Sequence, residues 1–130
     1  MTAERWARHL RGLGHRVTVE TRYEGGRCDL VVALHARKSA SSVLRARRDD
    51  PKRPIVLALT GTDAYQDLRR SARARRALAA ADRIVVLQPL AAREIPRALR
   101  SRARVVYQSV REIPPRRTRP AGSAFVVAVA

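Results

Sequence analysis

The sequence predicts an α/β domain of Rossmann type, a parallel sheet with helices on both faces. Three observations predict it. Short unbroken apolar runs recur along the chain, amphipathic stretches of helical period separate them, and each run ends in polar residues.

The elements follow in order. Thr2 to Leu13 carries Trp6, Ala7, Leu10 and Leu13 at helical spacing, with Thr2 placed to cap the start and Gly12 and Gly14 to close it. His15 to Thr21 alternates Val17 and Val19 with polar residues, as a short strand does. Glu24-Gly25-Gly26 marks a turn, and Asp29 to His35 (DLVVALH) reads as a strand covered on both faces. Ser39 to Arg48 sets Val43 and Leu44 against Arg45, Arg47 and Arg48, and Pro51 and Pro54 stop that helix. Pro54 to Thr60 (PIVLALT) is a second buried strand, running straight into the turn Gly61-Thr62-Asp63.

Asp67 to Ala81 is expected as a helix with Leu68, Ala72 and Leu78 inward. Arg83 to Leu87 (RIVVL) is a third buried strand, Leu90 to Leu99 a short helix that Pro96 bends, and Arg104 to Tyr107 a further strand. The order αββαβαβαβ alternates as doubly wound sheets do. Residues 1–110 therefore form the predicted domain, 111–123 a basic, proline-containing linker, and 124–130 (with FVVAVA) the first strand of a second domain. The helix from Thr2 lacks a strand before it, so the chain reads as a clipped Rossmann unit, expected to be poorly stable or inactive alone.

Composition narrows the function classes. At 130 residues one core is the default, burying roughly two thirds of the surface an unfolded chain exposes. With aromatics at 4%, that core must rest on Ala, Val, Leu and Ile. The net charge of +17 comes from 28 basic residues against 11 acidic ones, and all the basic residues but Lys38 and Lys52 are arginine. A polyanion binder would use such charge, yet the arginines are scattered and no aromatic platform interleaves them. Nucleic acid is thus a disfavoured partner, and acidic small molecules remain. Cys28 is alone, so neither an internal disulfide nor a cysteine metal cluster can form. No signal peptide and no apolar run of about 18 residues is present, which points to the cytoplasm and away from membranes.

In open parallel sheets ligands bind beyond the carboxyl ends of the strands. The polar residues at those ends are His35, Arg37, Lys38 and Ser39; Thr60, Gly61, Thr62 and Asp63; Gln88; and Tyr107, Gln108 and Ser109. Arg37, Lys38 and Ser39 have the chemistry of a phosphate clamp or of a solvated basic turn. Asp63 suits either a ligand hydroxyl or a helix cap. No GxGxxG, GxxxxGK[ST], nucleophile elbow or HExxH occurs, so no catalytic residue can be assigned from motifs.

The blocks TAERWARHLRGLGHRVTV, DLVVALHARKSA, PIVLALTGTDAYQDL, ADRIVVLQPLA and ARVVYQS together resemble the amino-terminal domain of glycosyltransferase family 4 enzymes, and more narrowly its selenosugar synthase branch. The resemblance implies a GT-B arrangement, two Rossmann-like domains facing across a cleft, of which this chain matches the first. It implies transfer of N-acetylglucosamine from UDP-N-acetylglucosamine to selenophosphate, with the nucleotide sugar as donor substrate and no cofactor or metal. It also implies association with a carboxyl-terminal half that holds most donor contacts. On this resemblance His35 to Ala40 and Leu59 to Asp63 border acceptor and donor sugar; charge and place alone make Arg37 and Lys38 the candidates for the selenophosphate. Thr60 stands where many family 4 relatives have histidine, a departure that suits the selenosugar branch. The alternatives are a stand-alone basic module for nucleic acid or a protein partner, and an inactive remnant.

Overall fold

The computed structural model describes residues 2–108, so the expected linker 111–123, the strand in 124–130 and Ser109 lie outside the described residues. Helix α1 spans Thr2–Gly12, with Glu4 in its first turn and His9 and Arg11 in its last, where each charge suits the helix dipole. Its end follows from Gly14, which adopts φ 90°. That left-handed residue lets the Gly14 N–H reach Arg11 O and the His15 N–H reach Leu10 O, the paired bonds of a Schellman cap.

Four strands follow: β1 (Val31–Leu34), β2 (Ile55–Leu59), β3 (Arg83–Val86) and β4 (Ala103–Val105). They form one all-parallel sheet in the order β1-β2-β3-β4, so the α/β reading of the apolar runs holds. Leu34 pairs with Ala58, Leu59 with Val86, and Val86 with Val105. This register brings the four carboxyl ends level along one edge.

The expected strand over His15 to Thr21 is a correction. That segment joins no ladder; Val19 is exposed, and the Val17 carbonyl accepts instead from the Arg11 guanidinium. Two valines give too little apolar surface to fix a strand to the sheet edge, and a local side-chain donor takes up a main-chain acceptor.

Helix α2 (Ala40–Asp49) links β1 to β2 and packs against α4 (Ala72–Ala80), which precedes β3. In a sheet whose strands follow in sequence order, right-handed crossovers place successive helices on one face. Between that face and the helices lies the core: Ala33, Ile55, Leu57, Leu59, Ile84 and Val86 from the strands, Val43, Ala46, Ala74, Ala77 and Leu78 from the helices. The small residues of α2 and α4 let the helices approach the sheet closely, as the low aromatic content requires. Helix α1 buries only Ala7, and Arg5 donates to Gln108 just beyond β4, so this helix is tied to the β4 side of the sheet.

Two expected helices are broken, each for a local reason. The stretch expected over Asp67 to Ala81 begins earlier, as a π-helix over Asp63–Asp67 that passes into α3 (Leu68–Arg70), and it stops at Ser71. Ser71 is extended and its hydroxyl accepts the Ala74 N–H, so it caps α4 and interrupts the helix. The stretch expected over Leu90 to Leu99 is two 3₁₀ segments, Pro89–Glu94 and Arg97–Arg102. Pro96 between them has no N–H and holds Ile95 extended, while Ile95 itself is buried as an anchor.

Among the described residues, no helix is long and apolar enough to cross a membrane.

Candidate functional site

The carboxyl ends of β1 and β2 are tied together by one carboxylate. Asp63 opens the π-helix after β2 and is fully buried. Its Oδ2 accepts the Ala36 N–H at 2.8 Å, and its Oδ1 accepts the Thr60 N–H at 2.9 Å. One side chain thereby fastens the turn after β1 to the turn after β2. Both oxygens are turned inward, so Asp63 shapes the site from beneath.

His35 sits on that clamp. It ends β1 with φ 77°, a left-handed conformation uncommon for a residue with a side chain. Its own N–H continues the ladder to Ala58 O at 2.8 Å, and its carbonyl accepts the Ser39 N–H. The ring is largely enclosed, with Nδ1 3.8 Å from Asp63 Oδ2 and Nε2 3.7 Å from Asp67 Oδ2. The Lys38 N–H points to Nδ1 at 3.4 Å, so the ring faces one main-chain donor and two carboxylates.

The remaining residues of the first turn divide by role. Ser39 donates its hydroxyl to Leu34 O at 2.6 Å, capping the strand and spending the group on main chain. Arg37 is exposed and sets its Nε 3.0 Å from Asp67 Oδ1. Lys38 is exposed and pairs with no carboxylate among the described residues. Arg37 and Lys38 are thus the charges this corner offers to an anion. Asp67 joins them through His35 and Arg37, a link that sequence reading, which took it as a helix start, does not reveal.

Across Asp63 lies an open cleft of about 410 Å³ at the ends of β2, β3 and β4. Leu59, Ala64, Leu87 and Ala91 provide apolar lining, and Thr60, Gly61, Gln88 and Gln108 provide uncharged hydrogen-bonding groups. Gly61 adopts φ 126°, which only glycine takes readily, and its carbonyl accepts the Ala64 N–H to start the π-helix. Tyr65 forms one wall, and its hydroxyl accepts from Gln88 Nε2. Gln108 accepts from Arg5 of α1 at 3.2 Å.

The sequence-based candidates therefore separate into two groups. Thr60, Gly61, Gln88 and Gln108 meet in the cleft. His35, Arg37, Lys38 and Ser39 occupy the neighbouring corner, and exposed Thr62 lies on the turn between, above buried Asp63. Tyr65 and Asp67 are additions; Tyr65 falls between the expected turn and the expected helix and Asp67 at the start of that helix, places that carry no functional signal in the sequence.

Among the described residues no group of three or more His, Cys, Asp and Glu side chains is placed to hold a metal ion. Comparison with protein-family models and with curated proteins gives no match to this chain.

Proposed function

We propose that the cleft and the adjoining cationic corner are the substrate site of a cytoplasmic glycosyltransferase, which transfers N-acetylglucosamine from UDP-N-acetylglucosamine to selenophosphate. The observation that carries this reading is the pairing of two surfaces on one line of strand ends. An uncharged polar cleft with a tyrosine wall suits a sugar, and Arg37 and Lys38 beside it suit a small phosphate-like anion. The likeness of the HARKSA and LTGTD blocks to family 4 enzymes supports the same division.

In the reaction proposed, selenium attacks C1 of the sugar, the C1–O bond to the diphosphate breaks, and UDP departs with that electron pair. Water then cleaves the Se–P bond, releasing phosphate and leaving the selenosugar. Gln88, Thr60 and the Gly61 main chain orient the sugar, while Arg37 and Lys38 hold the selenophosphate oxygens. A facing domain holds the nucleotide.

Saturation-transfer NMR on the full chain tests the site. The expected result is transfer to the N-acetylglucosamine protons of the donor, lost in Gln88→Ala, and selenophosphate binding lost in the Arg37→Ala, Lys38→Ala double variant. Binding of neither compound by the folded chain overturns the proposal. UDP release on mixing both substrates tests the chemistry separately.

A further inference from the structure

The cleft at the ends of β2, β3 and β4 is lined by two side-chain amides, Gln88 and Gln108. The Val106 N–H donates to Val86 O at 2.9 Å, which carries the pairing of β3 and β4 past Val105. Gln88 and Gln108 each stand two residues further along these neighbouring strand ends, and Gln88 keeps an extended backbone. The register therefore brings the two amides to one side of the cleft.

Each amide has one end engaged by the protein. A glutamine amide carries an acceptor oxygen and a donor nitrogen, so fixing one leaves the other for a ligand. Gln88 donates from Nε2 to the Tyr65 hydroxyl, and its Oε1 makes no hydrogen bond among the described residues. Gln108 is held the opposite way. Its Oε1 accepts from Arg5 Nη1 at 3.2 Å, and its Nε2 has no acceptor among the described residues. The cleft thus offers one fixed acceptor beside one fixed donor, with buried Leu59, Ala64 and Ala91 as its apolar floor. Among the described residues no charged side chain lines it.

We infer that Gln88 and Gln108 together read the acetamido group of the ligand and make the cleft selective for 2-acetamido sugars over plain hexoses. Gln88 Oε1 accepts the amide N–H, Gln108 Nε2 donates to the amide carbonyl, and the acetyl methyl group lies on the apolar floor. Arg5 and Tyr65 are positioning residues, since each holds one glutamine amide the right way round. The selectivity rests on the sugar-site reading above and names the part of the sugar that is recognised. A hydroxyl in place of the acetamido group can also bridge the two glutamines, but it brings no methyl group to the floor. The two ligands differ in a second way. A hydroxyl can turn its proton towards any acceptor, whereas a carbonyl facing an acceptor has nothing to donate.

The methyl glycosides of N-acetylglucosamine and of glucose are the probes, and the side-chain amide NMR signals of Gln88 and Gln108 in the full chain are the readout. The acetamido glycoside is expected to half-saturate these signals at a concentration about tenfold below that of the glucoside. Gln108→Glu keeps the length and replaces the donor by an acceptor, so it is expected to abolish most of that preference, read on the Gln88 signals. Gln88→Glu keeps an acceptor and is expected to lose less of it, read on the Gln108 signals. An equal response to both glycosides, including none from either, or a preference unchanged in Gln108→Glu, overturns the proposal. So does an equally strong response to uridine, whose ring edge also carries an N–H between carbonyls. UDP release separates this selectivity from the transfer itself. UDP formed from donor and selenophosphate with no preference between the glycosides removes the amide pair alone, and a preference without UDP release removes the transfer alone.

Discussion

Asp63 holds Ala36. The carboxylate oxygen Oδ2 lies 2.8 Å from the Ala36 nitrogen, 27 positions away in the chain, while Oδ1 holds Thr60. The turn after β1 and the turn after β2 thus share one buried anion. Removing it exposes neither N–H to water, because the position is fully enclosed. Asp63→Ala is therefore expected to lower stability by about 2–5 kcal/mol, the cost of leaving two main-chain donors unpaired. Asp63→Asn keeps one acceptor and is expected to cost less. Urea denaturation of both variants checks the order, and an unchanged midpoint in Asp63→Ala contradicts it.

The same clamp accounts for His35. With φ 77°, the residue stores backbone strain of about 1–3 kcal/mol that its neighbours must offset. A β-branched side chain cannot take this conformation without a clash, whereas Asn tolerates it. His35→Val is expected to cost at least about 2 kcal/mol and His35→Asn under about 1 kcal/mol, measured by thermal unfolding. Equal effects would show that ring contacts, and not the backbone, decide this position.

The sheet was legible because β2 and β3 are buried on both faces, and an unbroken apolar run such as PIVLALT has few other uses. The level carboxyl ends followed from the parallel order. Local competition was harder to read. Ser71 could be an ordinary polar residue on a helix face or the cap of a new helix, and only its extended backbone decides. Pro96 announced a bend, but whether the chain continues as α-helix or as two 3₁₀ segments depends on burying Ile95. At the site, His35 and Thr60 stood at strand ends as expected. The role of Asp63 as a two-turn clamp, and of Asp67 as partner to His35 and Arg37, comes from contacts between separate loops that spacing does not encode.

Arg47 and Asp82 make a second tie, at the amino ends of the strands. Arg47 on α2 donates to Ala80 O at the end of α4, to Pro51 O and Arg53 O in the following loop, and to Asp82 Oδ2 at 2.6 Å. Burial pushes the Asp82 carboxyl up, but the Ile55 N–H and the Arg47 guanidinium outweigh it and hold the group below its ordinary value. A depressed carboxylate stabilises the fold above the unfolded-state value, near ~3.9, and that contribution is lost as pH falls through the lower folded-state value. Asp82 is half exposed, so its share is on the order of 1 kcal/mol or less after solvent screening. Unfolding free energy measured between about pH 5 and pH 2 should fall less steeply in Asp82→Asn than in the parent chain.

Gly12 and Gly14 look alike in the sequence and should respond oppositely to alanine. Gly12 is the last residue of α1, and a Cβ there meets nothing within 4 Å. Alanine at that place gains about 0.5–1 kcal/mol of helix propensity. Gly14 holds the Schellman cap at φ 90°, where a Cβ also has open space but the backbone itself disfavours any side chain. Gly14→Ala is expected to cost about 1–2 kcal/mol and to release the His15 N–H from Leu10 O. Because α1 buries only Ala7, the two effects should appear as local opening more than as global unfolding. Amide hydrogen exchange over residues 6–15 is the measurement: slower in Gly12→Ala, faster in Gly14→Ala, with the amides of β2 and β3 unchanged in both. If β2 and β3 also exchange faster in Gly14→Ala, α1 is coupled to the sheet more strongly than its single buried residue and the Arg5 bond to Gln108 allow.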